Sequence, residues 1–233
     1  VQLEWLRRQK NILATERAGC EWFRRRLERA RNQAYTDIRH DVPAHFGAIE
    51  ENLHQALRPI PRAKTGSYAT VTAGLLVDYG ARLGKKLARI RSIADQDSIH
   101  AARIAGKRLR YVLEPLAAEL SGAKRTVESL KTFQDRFGLL CDDFARARAL
   151  RQAAETLGAD RARAALERAS GARAKAPDGL ESLLPGLAAL ARRVEREAAR
   201  RHAAIERRYL GDAGTFLKPV SILAHRLGVV AQL

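Results

Sequence analysis

The sequence contains no methionine and only two cysteines, Cys20 and Cys141, among its 233 residues. Two cysteines without a short spacing indicate neither a disulfide framework nor a zinc site, and a reducing cytoplasm is the expected location. Because position 1 is valine, we expect the sequence to begin inside a longer chain. No apolar run is long enough to cross a membrane, and the start VQLEWLRRQK lacks the layout of a signal peptide.

Acidic and aromatic residues are also scarce. Asp and Glu number 26 against 43 Lys and Arg, which gives a formal net charge of +17, and aromatic residues make up 6% of the chain. Such an excess favours a polyanionic partner, which could be nucleic acid, an anionic membrane surface or polymeric phosphate. A generally basic, Arg- and Ala-rich proteome is the alternative explanation. The aromatic residues do not interleave with the basic stretches, which argues against a stacking platform for single-stranded nucleic acid.

The apolar residues recur with helical periodicity, and no run alternates as a strand would. We therefore predict an all-α fold of antiparallel helical hairpins forming two helical bundles, with the first bundle incomplete. One long helix should fill the first forty residues, and Pro43 should end or kink it. Further helices are predicted at about 44–57, 75–94, 98–120, 123–157 and 183–209, followed by a short terminal helix. Residues 158–179 are predicted to form a short helix and a mobile loop.

One predicted helix, at residues 98–116, separates its apolar and cationic side chains. The apolar arc consists of Ala102, Ala105, Leu109, Val112, Leu113 and Leu116. The opposite arc carries His100, Arg103, Lys107 and Arg110, which we call the α4 stripe because this is the fourth predicted helix. No acid occurs from His100 to Arg110, although an ordinary solvated helix face mixes both signs of charge. The crowded cations repel one another, so the pattern predicts an anion site.

Two further helices carry basic stripes. The third predicted helix, at 75–94, has a stripe of four cations, which we call the α3 stripe: Arg82, Lys85, Lys86 and Arg89. Turn and capping residues at Asp95–Ser98 should join it to the next helix as a hairpin. We therefore predict that the α3 and α4 stripes face one solvent cleft. A third stripe, on the helix at 183–209, contains Arg193, Arg196 and Arg200.

Catalytic motifs are not convincing. Residues 80–86, GARLGKK, imitate a phosphate-binding loop, but the spacing is one residue short and no Ser or Thr follows the lysine. His40 and His45 stand on either side of Pro43, so a shared metal is not expected. An enzyme built around His100, Asp135 and Asp142 is a third alternative, although these residues lack a diagnostic spacing. We predict no catalytic residue, no metal and no cofactor.

Two motifs resemble a known family. Residues 100–114, HAARIAGKRLRYVLE, resemble the signature helix of the CHAD family, the conserved-histidine α-helical domain. Residues 133–142, FQDRFGLLCD, resemble its L-Q-x-x-L-G-x-L-N-D element, with Cys141 where asparagine is usual and Asp142 in the aspartate position. CHAD domains contain two repeats, each a helical bundle, and the segment around Arg17 resembles an element of the first repeat.

The resemblance implies one CHAD-like domain over residues 1–233. Residues 1–57 would be what remains of the first repeat, 58–73 a connection and 74–233 the second repeat. It also implies binding of inorganic polyphosphate, in some members beside a CYTH-type triphosphatase or in polyphosphate granules. The ligand contacts that the resemblance implies are the α4 stripe and Arg108, which projects to the side of it. The α3 stripe is added from the helical periodicity and not from the resemblance. Further basic contacts would come from Arg17, Arg193, Arg196 and Arg200. A nonspecific nucleic-acid-binding protein and an accessory domain of a CYTH-type triphosphatase are the alternatives.

Overall fold

A computed structural model of the chain describes residues 1–56, 67–170 and 180–230. Within these ranges every regular element is a helix, which confirms the all-α prediction. The helices are α1 (Gln2–Arg7), α2 (Ala14–Ala56), α3 (Tyr68–Leu87), α4 (Gln96–Leu113), α5 (Ala123–Ala169), α6 (Leu180–Ile205) and α7 (Ala213–Val230). A 3-10 turn at Glu114–Leu116 follows α4, and a π turn at Glu206–Leu210 follows α6.

The chain forms two compact units, and α5 and α6 contribute to both. Unit 1 consists of Val1–Lys64 and Arg148–Arg192, and unit 2 consists of Thr65–Ala147 and Arg193–Leu233. The sequence-based division placed everything after residue 73 in one repeat, whereas residues 148–192 pack with the N-terminal segment. The boundaries of the compact units thus differ from those of the predicted repeats. The assignment of the repeats themselves stays a prediction.

In unit 1, α2 and α6 approach each other closely at two glycines. A Cβ added to Gly19 would lie 2.1 Å from the carbonyl oxygen of Leu183, and one added to Gly186 would lie 2.2 Å from that of Glu16. Only glycine permits backbones to come this near. Close to this crossing, Phe23 and Leu187 are buried.

In unit 2, the core is centred on an aromatic cluster. The ring of Phe133 on α5 lies 4.2 Å from that of Phe137, 5.1 Å from Tyr209 and 5.3 Å from Phe216, measured between centroids. Gly106 of α4 lies directly against Phe133, since an added Cβ would come within 2.4 Å of the ring. The aromatic cluster thus joins α5 and α7, and Gly106 lets α4 lie tightly against it.

The N-terminal helices differ from the sequence prediction in two ways. The predicted single helix is interrupted between α1 and α2, where Asn11 has a φ of 57°. Asparagine tolerates this left-handed conformation better than most residues, so it suits a sharp break. We predicted that Pro43 ends or kinks the helix. An end at Pro43 is wrong, because α2 continues through it from Ala14 to Ala56, and a kink stays a prediction. The cost of a proline is local, since it lacks one backbone donor and its ring crowds the carbonyl four residues earlier in the same helix, and α2 is helical on both sides of it.

The later helices were predicted in the right places with shifted ends. The start of α3 is Tyr68, where the Ser67 hydroxyl accepts a hydrogen bond from the Thr70 amide at 3.2 Å. The predicted connection at 58–73 is therefore partly helical, and residues 57–66 lie outside the described part. The helix α5 continues past Gly158 to Ala169, so the first part of the segment predicted as a short helix and a loop belongs to α5. Residues 171–179, on which the rest of that prediction falls, lie outside the described part.

We predict that Gly106→Ala lowers the free energy of unfolding by about 1–3 kcal/mol, because the new methyl group must displace a fully buried ring. Denaturant unfolding followed by circular dichroism measures the change. Gly158→Ala is the matched control, since no atom lies within 4 Å of its added Cβ inside α5. This variant should gain up to about 1 kcal/mol. Equal stability of the two variants would contradict the close approach of α4 and α5.

Candidate anion-binding surface

The loop between α3 and α4 is fixed by Asp95. Its carboxylate accepts hydrogen bonds from the backbone amides of Arg91 at 2.8 Å and Ser92 at 2.9 Å, and these bonds lower the pKa of the carboxyl group. Asp95 stands at the N-cap position of α4 but makes no side-chain bond to that helix. The acid therefore orders the loop itself, and the short connection holds α3 and α4 side by side.

A groove of about 410 Å³ lies between α3 and α4. The α3 stripe forms one wall, and Arg108 stands on the α4 side. The remaining lining residues are uncharged: Tyr79, Ala101, Ile104 and Ala105. No acid lines this groove among the described residues, so five cations face a shared space. We call it the hairpin groove.

Four of these five cations form no ion pair with the described residues. Arg82 makes an ion pair with Asp78 of the preceding turn, at 2.7 Å, and its guanidinium lies over the Tyr79 ring. The other four cations have no ion-pair partner in the described ranges: Lys85, Lys86, Arg89 and Arg108. Like charges on one helix destabilise each other, so an anion bound in the groove would relieve repulsion.

The prediction of one cleft shared by the α3 and α4 stripes is wrong. The groove residues on α4 are Ala101, Ile104, Ala105 and Arg108, and no member of the α4 stripe is among them. Arg103 instead lies against α5, where an added Cβ at Gly138 would be 3.5 Å from its Nε. The α4 stripe therefore lies on the flank of α4 that faces away from the groove, and Arg108 is the α4 cation that lines the groove.

The cause is the rotation of α4 about its axis. Its buried arc consists of Ile99, Ala102, Gly106, Leu109 and Leu113. One flank of this arc, with Ala105 and Arg108, faces α3, and the opposite flank, with Arg103, faces α5. The sequence pattern separated buried from exposed positions but did not show which flank α3 would contact.

The α4 stripe has a setting of its own. Lys107 and Arg110 lie over the ring of Tyr111, at 5.4 and 4.9 Å from its centroid, and Arg110 also faces Glu114 at 3.4 Å. The Nε atoms of Arg103 and Arg110 are buried without a hydrogen-bond partner in the described structure. Tyr111 is itself exposed, so aromatic residues do touch the basic surfaces, contrary to the sequence-based expectation.

Other predicted positions lie apart from the groove. His100 is exposed at the start of the stripe. On α6, Arg196 and Arg200 are exposed, and Arg193 is partly buried. Arg17 belongs to unit 1, where it lines a separate depression beside the ion pair of Glu21 and Arg24.

A buried ion network escaped the sequence analysis. Asp143 is fully buried, and its carboxylate accepts hydrogen bonds from Arg146, at 2.6 Å, and from Arg201 of α6. Burial raises the pKa of this carboxyl group, and the two guanidinium groups oppose the shift. The signal was present in the sequence, because position 143 follows Leu140 at the helical spacing of the core. The family motif drew attention to Asp142 instead, which is partly exposed and 4.0 Å from Arg146.

No group of three or more His, Cys, Asp or Glu side chains in the described part is placed to hold a metal ion. Asp135 and His100 are both exposed. Burial raises the pKa of the Cys141 thiol, which Arg103 partly counteracts. Of the helices described, none is long and apolar enough to cross a membrane.

The fold and surface define a basic, all-α protein with an acid-free groove between two helices of a hairpin. The family known as the CHAD domain matches residues 1–148, and the chain belongs to this family. The match covers α1 to α4 and the first half of α5, including the hairpin groove and Asp143. No curated protein and no solved structure matches the chain.

We predict that Asp143→Ala lowers the free energy of unfolding by about 3–5 kcal/mol, because it leaves Arg146 and Arg201 without their buried carboxylate. Asp142→Ala is the control, since this carboxylate is partly exposed, and it should cost less than about 1 kcal/mol. Chemical denaturation at neutral pH measures both values. A larger loss for Asp142→Ala would show that the network has been assigned to the wrong acid.

Proposed function

We propose that this protein binds inorganic polyphosphate in the hairpin groove without chemically changing it. The observation that carries the proposal is the set of five cations that line the groove without an acid among the described lining residues. Membership of the CHAD family is consistent with a polyphosphate-related function. A role as an accessory domain of a CYTH-type triphosphatase, or in polyphosphate granules, would use the same binding.

The groove suits a linear polyanion on physical grounds. Residues three and four apart on a helix are neighbours, so Arg82, Lys85 and Lys86 of α3 present closely spaced donors along one wall. Arg89 extends this row two residues beyond the end of α3. Arg108 adds a planar guanidinium from the other wall, and such groups can donate two hydrogen bonds to one phosphate. A flexible phosphate chain carries charge at every unit and can follow this row. The α4 stripe, on the other flank of α4, would bind a further part of the same chain.

Nucleic acid is the second candidate, and one observation favours it. Tyr79 lines the hairpin groove, and Tyr111 is exposed among the α4 stripe, so base stacking is available in principle. However, Arg82 lies over Tyr79, and Lys107 and Arg110 lie over Tyr111, so these cations already occupy ring faces. Polyphosphate needs only the cations, which is why we prefer it.

The test is a charge reversal in the groove, Lys85→Glu with Arg108→Glu. We expect affinity for long-chain polyphosphate to fall by at least about tenfold, because each charge-assisted contact contributes roughly 1.5–3 kcal/mol before screening. Fluorescence anisotropy at near-physiological salt measures it, with DNA of matched phosphate concentration as competitor. DNA should compete poorly.

The control is Lys124→Glu with Lys131→Glu, which makes the same change in net charge at exposed positions of α5. Its affinity should change by less than about threefold if binding is local, since distant exposed charges are screened. Equal losses in the two double variants, at matched helicity, would mean that affinity follows net charge alone. Better competition by DNA than by polyphosphate would favour the nucleic-acid function.

We also propose that this chain alone does not hydrolyse polyphosphate or nucleoside triphosphates. Polyphosphate incubated with the protein and magnesium should release no more orthophosphate than the buffer control. The proposal rests on the absence of an acid from the lining of the groove in the described residues, since Mg²⁺ prefers carboxylate ligands. Magnesium-dependent release that Asp135→Ala or Asp142→Ala abolishes would contradict it.

A further inference from the structure

The second half of α2 packs against no other helix in the described part of the chain. All described side chains from Arg29 to Ala56 are exposed. Six of them are large and apolar, with exposed fractions of 51–62%: Tyr35, Ile38, Val42, Phe46, Ile49 and Leu53. We call this set the α2 stripe. Isolated apolar side chains are normal on a surface, but a continuous stripe of this kind marks an interaction site.

The α2 stripe has a regular spacing. Its members follow one another by three or four residues, which keeps them on one face over about five helical turns. A lone helix gains little stability from propensity, so a segment with every side chain exposed depends on tertiary packing. The stripe is therefore the face by which α2 would be stabilised.

The stripe is nearly symmetrical about position 44. Tyr35 and Leu53 are equally far from this position, and so are Val42 and Phe46. The midpoint between Ile38 and Ile49 lies half a residue from position 44. A face with such symmetry is complementary to itself when two copies run antiparallel, because each apolar residue then meets its counterpart in the partner.

The charges beside the stripe have the same symmetry. Arg39 and Glu50 are 11 residues apart, about three full turns, so they lie on the same side of the apolar stripe. In an antiparallel pair, Arg39 of each copy would stand opposite Glu50 of the other. In a parallel pair, the two-fold axis runs along the helices and places this flank of the two copies on opposite sides of the pair, so Arg39 and Glu50 would not meet. The charges thus select the antiparallel arrangement.

We infer that a second copy of this chain covers the α2 stripe, in an antiparallel two-helix contact centred near position 44. From Tyr35 to Leu53 the contact would be about 27 Å long, at 1.5 Å per residue. A single pair of helices of this length buries less than a standard protein interface, so dimerisation should depend on concentration. This inference does not depend on the proposed polyphosphate binding.

A membrane surface is a less suitable occupant. Amphipathic helices that lie on anionic membranes carry Lys and Arg on their polar face. The polar face of this segment instead carries three acids, Asp37, Asp41 and Glu51. These acids would be repelled by anionic headgroups, whereas they remain in water when a second copy covers the stripe.

Sedimentation velocity over a concentration series tests the inference. The wild-type chain should change from monomer to dimer, and Val42→Asp with Phe46→Asp should raise the dissociation constant at least tenfold. The matched control is Gln33→Asp with His40→Asp, which adds the same charge on the opposite face of α2 and should leave the dimer intact. Circular dichroism checks that both variants keep their helix content.

Charge reversal tests the orientation. Arg39→Glu and Glu50→Arg should each weaken the dimer at low salt, and the two together should restore it. In a mixture of Tyr35→Cys chains and Leu53→Cys chains, oxidation should link the two kinds of chain to each other in preference to identical chains. A wild-type monomer at all concentrations would overturn the inference. Failure of the double reversal to restore the dimer would also overturn it. A membrane would instead be the occupant if the wild-type chain stayed monomeric and bound anionic vesicles, and if Val42→Asp with Phe46→Asp abolished that binding.

Discussion

The close approach of Gly106 to Phe133 determines how α4 is rotated, and the candidate binding surface depends on that rotation. Because a Cβ at position 106 would meet the ring at 2.4 Å, α4 can lie this close to α5 only where it has a glycine. This contact turns Arg103 towards α5 and Arg108 towards α3. The same residue types on a helix rotated by one position would produce a different groove.

The positive charge that would bind the proposed anionic ligand is a cost to the unliganded fold. In the described part of unit 2, the cations near the core are paired with an acid, whereas most cations of the groove are not. Its cations in the core region, Arg146 and Arg201, are bound by the buried carboxylate of Asp143. In the hairpin groove, Arg82 pairs with Asp78, and the other four cations have no ion pair among the described residues, so under our proposal they would contact the ligand. A bound polyanion would therefore stabilise the folded state as well as occupy the site.

The fold class could be predicted because helical periodicity is a local property of the sequence. The positions of the helices followed from this periodicity, but their ends did not. Pro43 in α2 and Gly158 in α5 are both helical, although proline and glycine usually indicate that a helix is interrupted. The stripes were recognised as cationic, but which of them share a groove depends on packing between helices. That information lay in Gly106, a small residue in the buried arc. Asp143 could have been found, because an acid at a core position needs a buried partner.

The central claim is that binding is local to the hairpin groove. Lysine acetylation followed by mass spectrometry, with and without polyphosphate at matched ionic strength, tests it most directly. The account predicts that polyphosphate protects Lys85 and Lys86 and leaves Lys124 and Lys131 as reactive as in the free protein. Equal protection of all four lysines would contradict it, because the ligand would then be attracted by the overall charge and not by the groove.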